Sequence, residues 1–263
     1  MCRSRAITFG FVAAVMLGLG AYALIVGSGT STVLGPPSFS HWFGTDLAGR
    51  DVLAQTFSAT WIAIFTVAGV AMAVHICGLV VGAILAQVHS RLLRELLASL
   101  VNYWLTVPIL LIAIFVMILL GSGQMKLAVV LTVALTPTQA LYVYVRLTEA
   151  QKQPFAVVKR GYGLSRTQVF MSDLLPYVHP SVQSYTLSRL PEILVMDLAF
   201  NYLGLGVQPP HASLGRMLFA GLPFMFSAWW IWVAPLVLLS GLAMLLVIRG
   251  SNTASASVGG RLS

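Results

Sequence analysis

The stretch RLTEAQKQPFAVVKRGYGLSRTQVFMSDLL, residues 146–175, is a polar interruption late in a chain that is otherwise almost continuous hydrocarbon. Lys152, Lys159, Arg160 and Arg166 all fall inside it. The residue order predicts two short helices joined by a tight turn. Pro154 suits a first helical position, where no backbone donor is lost. Phe155, Val158 and Tyr162 then share a face at i, i+3 and i+7, with Lys159 and Arg160 turned away from it. Gly163 can take the left-handed conformation that ends a helix. Ser165 with Gln168 reads as a capping box that opens the next helix, just before Val169 and Phe170. Two readings stand side by side. One is a solvated loop between membrane spans; the other is a docking helix, with an apolar stripe and a basic back, offered to a soluble partner on the cytoplasmic side.

The composition decides the surroundings of that stretch. Of 263 residues, 58% are hydrophobic and 8% charged. A soluble domain carries roughly 25% charged residues, so no water-soluble surface can be built from this supply. The fold class is all-α, a polytopic membrane protein. The net charge of +8 does not point to nucleic acid, because the basic residues sit at the ends of hydrophobic segments, the positive-inside signature. Cys2 and Cys77 lie too far apart in sequence and depth to suggest a disulfide framework or a metal-site spacing.

Hydropathy predicts six transmembrane helices with both termini cytoplasmic. Residues 1–26 form the first, behind Arg3 and Arg5; a signal peptide is the alternative, but its apolar region runs only about 7–15 residues. Residues 27–60 are an extracytoplasmic segment containing HWFGTDLAGRD. Its glycine spacing superficially resembles a phosphate-binding loop, yet Arg50 and Asp51 stand where Lys and Ser/Thr are required. No nucleotide site is expected anywhere in the chain. Residues 61–248 form the core. Its second span, 61–87, carries a Gly78/Gly82 pair suited to close helix approach and a lone His75, expected to be a satisfied structural group. The third, 96–120, contains Pro108, and the fourth, 127–145, a kinking Pro137. The fifth, 176–200, contains Arg189, Glu192 and Asp197. Each ionised group near the bilayer centre costs at least about 2.5–3.5 kcal/mol, so these must face water or protein. Arg189 and Glu192 can neutralise each other at i, i+3; Asp197 lies on another face and needs a separate partner. Residues 202–215 read as an irregular outer or re-entrant segment, 225–248 as the sixth span, and 249–263 as a disordered cytoplasmic tail. On this layout Arg50, Lys126 and Arg216 alone among the loop cations fall outside.

Three segments together resemble the inner-membrane permease subunits of bacterial ABC importers in the dipeptide, oligopeptide and nickel class, in particular its second, "C"-type permease. HWFGTDLAGRD is similar to that family's H-x-x-G-T-D-x-x-G-R-D motif. Residues 146–176 are similar to the coupling loop that carries the "EAA" signature, with Gly163 at its central glycine and Leu175-Pro176 at its close. NYLGLGVQPP, residues 201–210, is similar to S-F-L-G-L-G-V-Q-P-P, with Asp197 where an acidic residue is usual. One departure is local: the signature's acidic residue and two alanines fall at Val157, Val158 and Lys159, and Val157 cannot make the ionic contacts of a Glu.

The resemblance implies a type I ABC importer permease in the bacterial inner membrane. Its partners would be a second related permease, two cytoplasmic ATP-binding subunits that hold ATP and Mg, and an extracytoplasmic solute-binding protein. This chain itself would hold no cofactor or metal and would not be an enzyme. Phe155, Val158, Lys159, Arg160, Tyr162 and Gly163 would contact the ATPase. Arg189, Glu192 and Asp197 would line the translocation pathway. Gly44, Thr45, Asp46, Gly49, Arg50 and Asp51 form the extracytoplasmic motif. Peptides, nickel or metal–chelator (metallophore) complexes are the cargo classes. An autonomous secondary transporter or channel using the charged fifth helix is the alternative. An intramembrane enzyme lacks a nucleophile–base pair at helical spacing.

Overall fold

The structure, a computed structural model, describes residues 32–88, 90–161 and 165–259. The first expected span therefore lies outside the described residues. Among those described, the secondary structure is helical, apart from one isolated antiparallel bridge between Thr45 and Asp51.

The first described helix, α1 (Val52–Gln87), is 36 residues long and holds no charged side chain. At 1.5 Å per residue it reaches about 54 Å, well beyond the ~30 Å hydrocarbon layer. α2 (Arg91–Thr106) is amphipathic and α3 (Ile109–Leu120) wholly apolar. α4 (Gln124–Ala150) runs through Pro137 without ending. Trp104 Nε1 donates to the Ala134 carbonyl at 3.2 Å, in the turn just before Pro137 and one residue after the Val133 carbonyl that loses its helix donor. α5 (Pro154–Gly161) and α6 (Arg166–Val169) are short, and a π-helical turn (Phe170–Leu174) leads into α7 (Leu175–Ser188). α8 (Leu190–Tyr202), α9 (Leu214–Gly221) and α10 (Trp230–Gly259) complete the order, with a short 3₁₀ turn, Leu222–Phe224, after α9. Three of these helices, α1, α4 and α10 over Trp230–Val247, are long and apolar enough to cross a membrane.

Two expected spans are broken rather than continuous. At 96–120 the helix stops at Thr106, and Pro108 adopts an extended ψ of 115° ahead of α3. Proline forces its predecessor away from the helical region, and here that restriction ends the helix rather than bending it. At 176–200, Arg189 closes α7 in a turn before α8 begins, because Pro191 cannot donate to the α7 ladder. The carboxy-terminal segment differs in the opposite sense. α10 continues past Arg249 to Gly259, where the sequence suggests a disordered tail. Its Ser, Ala and Asn residues carry only modest helix penalties and no proline intervenes.

The chain divides into two compact units, one built from residues 32–66, 122–124 and 197–242 and the other from 67–121, 125–196 and 243–259. In the second, a core of Val143, Leu147, Ala156, Phe170, Leu174 and Val178 joins α4, α5 and α7. The Gly78/Gly82 pair seats α1 on α4 there. A Cβ at Gly78 would lie 2.3 Å from Gln139 Cγ, and one at Gly82 2.6 Å from the Ala140 carbonyl oxygen. That is the close approach the small-residue pair allows.

Candidate functional site

The loop at 146–175 folds as its residue order dictates. Pro154 opens α5. The capping box closes in both directions, with Ser165 N donating to Gln168 Oε1 at 3.0 Å and Gln168 N to Ser165 Oγ at 3.2 Å. The apolar stripe, however, is divided. Ala156 is fully buried in the core, and Phe155 leans on Tyr177 with ring centroids 5.1 Å apart. Val158 is left 54% exposed. Phe155 thus fastens the helix, and Val158 is the apolar residue turned out. Lys159 reaches across the loop to Asp173 at 2.5 Å, and Ser172 Oγ donates to the same carboxylate at 2.8 Å. The Lys159 hydrogen bond, followed by that of Ser172, holds the Asp173 carboxyl below the usual aspartate range. Asp173 sits in the π-helical turn, which widens the ladder just ahead of Pro176, a residue with no donor to offer. Arg160 lies on α5; Tyr162 and Gly163 lie outside the described residues.

The three charges of the fifth span do not form one group. Arg189 and Glu192 close on each other through two bonds, Nε–Oε2 and Nη2–Oε1, both 2.8 Å. Asp197, only 3% exposed, belongs to the other compact unit. Its Oδ1 accepts from Gln124 Nε2 at 2.8 Å, which also donates to Thr66 Oγ1 at 2.8 Å. The separate partner that Asp197 needs is therefore an amide at the start of α4. His75 is likewise satisfied, with Nδ1 2.8 Å from Thr186 Oγ1.

The motif at 41–51 spends its polar groups on itself. Asp46 Oδ1 accepts from the backbone N–H groups of Ala48 and Arg50, both at 2.8 Å, an Asx turn. Its Oδ2 meets Arg50 Nε at 3.3 Å and Gln55 Nε2 at 2.8 Å. Asp51, 4% exposed, caps α1 by accepting from Ala54 N at 2.8 Å and holds His41 Nδ1 at 2.8 Å. Thr45 Oγ1 accepts from Gly35 N and donates to the Thr32 carbonyl. Gly44 has φ +61°, and a Cβ there would sit 2.5 Å from the Gly35 carbonyl oxygen and 2.7 Å from Trp230 Nε1. Gly49 has φ +71°. Each consensus position thus has a folding task.

The second loop motif is organised in the same way. Gly204, with φ +77°, ends α8 in a Schellman turn, Leu205 N bonding to the Phe200 carbonyl and Gly204 N to that of Asn201. Asn201 Oδ1 accepts from Val207 N at 2.8 Å, and its Nδ2 donates to the Asp197 carbonyl at 2.9 Å. Gly215 lets α9 lie against α8, since a Cβ there would come within 2.4 Å of the Leu198 carbonyl oxygen.

One group escapes a span-by-span reading. Tyr142 and Tyr185 stack in parallel, centroids 4.0 Å apart and planes 4° from coplanar. Arg146 lies against the first ring at 5.2 Å and Arg189 against the second at 5.7 Å. Arg146 also pairs with Glu149 at 3.1 Å. The sequence signal is a spacing repeated forty-three residues apart, and it carries no hydrophobic periodicity that would draw notice.

Comparison with known proteins agrees with this architecture. Residues 78–251 match the family model described as binding-protein-dependent transport system inner membrane component. The chain is 28% identical over 196 residues to the dipeptide transport system permease protein DppC of Bacillus subtilis (strain 168), covering 74% of this chain and 61% of that protein. It is 28% identical over 188 residues to the oligopeptide transport system permease protein OppC of the same organism, covering 72% and 61%. The match thus spans about 60% of the length of these relatives. Among solved structures, the inward-facing MetNI methionine ABC transporter, in its CY5 native crystal form, has a TM-score of 0.62 at 19% identity, covering 77% of this chain and 96% of that one. At that identity the likeness is one of fold. With the family model extending over well more than half of its residues, the chain belongs to the binding-protein-dependent transport system inner membrane components.

Proposed function

We propose that the chain is the membrane-spanning permease subunit of an ATP-driven, binding-protein-dependent importer in the bacterial inner membrane, forming half of the translocation pathway. The observation that carries the coupling role is the state of α5. It is a short helix fixed on one side by Ala156 and Phe155, with Val158 turned out. A helix held in this way passes a push to the core beneath it instead of absorbing it. Two cytoplasmic ATP-hydrolysing subunits, which hold ATP and Mg, would seat on it. ATP-driven closure of that pair would then bias the membrane segments between two packings. A second related permease and an extracytoplasmic solute-binding protein complete the assembly. Six spans with cytoplasmic termini are the topology this arrangement needs. Peptides are the favoured cargo, because the similar proteins are named for dipeptide and oligopeptide transport; nickel and metallophore complexes are the other candidates.

The alternative of an autonomous transporter needs an ion relay through Arg189, Glu192 and Asp197. Local pairing of Arg189 with Glu192, and of Asp197 with Gln124, argues against it. The test is Val158→Asp in the reconstituted complex. Being exposed, the substitution should leave folding and membrane insertion unchanged while abolishing the ATP hydrolysis stimulated by cargo-loaded binding protein. Undiminished stimulation would overturn the coupling role of α5, and transport by this chain without any ATPase would overturn the importer reading altogether.

A further inference from the structure

The spacing Tyr-x₃-Arg-x₂-Glu occurs twice, as Tyr142, Arg146 and Glu149 on α4 and as Tyr185, Arg189 and Glu192 across the junction of α7 and α8. In the unbroken α4 these offsets place all three side chains of the first copy on one face; in the second, Arg189 stays with Glu192 across the junction through their two 2.8 Å bonds. The structure sets the two copies against each other through their tyrosines. Two rings stacked face to face bring like-signed π faces together; a guanidinium against each ring supplies the opposite charge. The result is one strip: carboxylate, guanidinium, two rings, guanidinium, carboxylate.

Three observations say what this strip meets. The second copy lies in a segment read as a span, where a lipid-facing charge is costly, and the first runs from the end of the fourth span into the loop end of α4. Yet the Glu149 and Glu192 side chains are 56% and 41% exposed, so this chain does not cover them. At the loop end, a cavity of about 40 Å³ is lined by Arg146, Glu149, Gln153, Tyr177 and Ser181, which is room and polarity enough for water. Finally, Nη1 of Arg189 is buried with no hydrogen-bond partner, so that guanidinium has a donor still uncommitted.

We propose that the doubled strip is a wall of the water-filled cargo route and that it takes the charged ends of a zwitterionic peptide. The guanidiniums receive the carboxylate, the half-exposed glutamates receive the ammonium, and the tyrosine stack fixes the separation of the two pairs. This deepens the importer reading above and rests on it.

The experiment uses the full complex in lipid nanodiscs, with Cys2→Ser and Cys77→Ser as background. Glu149→Cys and Glu192→Cys are exposed to a membrane-impermeant thiol reagent, with Val133→Cys, an exposed residue of α4, as the lipid-facing control. The strip cysteines should label rapidly and the control should not. Free trialanine at millimolar concentration should slow the strip reaction several-fold, whereas N-acetyl-trialanine amide should leave it unchanged. Should Glu192→Cys fail to assemble, Ser188→Cys reads the same face, three residues after Tyr185 and four before Glu192. Labelling no faster than the control, protection imposed by the second permease without peptide, or equal protection by the capped peptide would each overturn the proposal. Labelling at these positions reports hydration whether or not ATP hydrolysis is stimulated, so failure of the importer reading is seen separately.

Discussion

The loops at 41–51 and 146–175 use their polar residues in opposite ways. In the first, Thr45, Asp46, Arg50 and Asp51 all bond within the loop or to its immediate neighbours, and Gly44 is wedged against Gly35 and Trp230. In the second, Ala156 and Phe155 anchor α5, leaving Val158 in the open and Lys159 on a single part-exposed partner. A motif that satisfies itself is a folding device, and a motif that leaves a face unspent is made for a partner. Substitutions in the first loop should therefore reduce stability, and those in the second should reduce coupling.

Gly44→Ala should have the largest effect. A left-handed backbone costs an L-residue roughly 1–2 kcal/mol, and the added methyl meets a backbone oxygen that cannot move aside cheaply, overpacking worth roughly 1–3 kcal/mol. A total loss of about 3 kcal/mol should appear as a marked fall in the detergent-solubilised thermal midpoint; a fall no greater than that of a surface variant would show that the loop yields. Asp51→Ala comes next. It removes the α1 cap and one partner of His41, a loss of about 2 kcal/mol, and Asp51→Asn should recover much of it by keeping the cap. Val158→Asp inverts the pattern, with a thermal midpoint inside the range of ordinary surface changes, about 0.5 kcal/mol, and stimulated ATP hydrolysis lost. If Val158→Asp were as unstable as Asp51→Ala, the contrast between the two loops would collapse.

How much of this was legible in the residues depends on whether the cause was local. The capping box of Ser165 and Gln168, the start of α5 at Pro154 and the close approach of Gly78 and Gly82 to α4 each follow from residue types a few positions apart. Proline was harder. Pro137 stays inside a helix and Pro108 ends one, because the outcome depends on what packs around the freed carbonyls, which no local window contains. The division of the Phe155 stripe was hidden for the same reason: periodicity shows that Phe155 and Val158 share a face, but Tyr177, which covers one of them, comes from α7. The tyrosine stack also needs two helices to meet before its spacing has meaning.

The smallest predicted effect sharpens the comparison furthest, because it asks whether the second loop has a fastening of its own. Asp173 is held below the usual aspartate range by Lys159 and then by Ser172. Unfolded, an aspartate titrates near about pH 4, so a lowered folded value means the pair contributes its full stability above that pH. The contribution is lost as pH falls through the lower, folded value. Asp173→Asn should therefore melt slightly below wild type at pH 7, and the two should converge as the medium is acidified below about pH 4. Lys159→Met should reproduce the neutral-pH difference, and combining it with Asp173→Asn should add nothing further, the mark of two groups sharing one interaction. A gap that persists unchanged into acid would mean that the carboxylate charge is not what holds α5, leaving Ala156 and Phe155 as its anchorage.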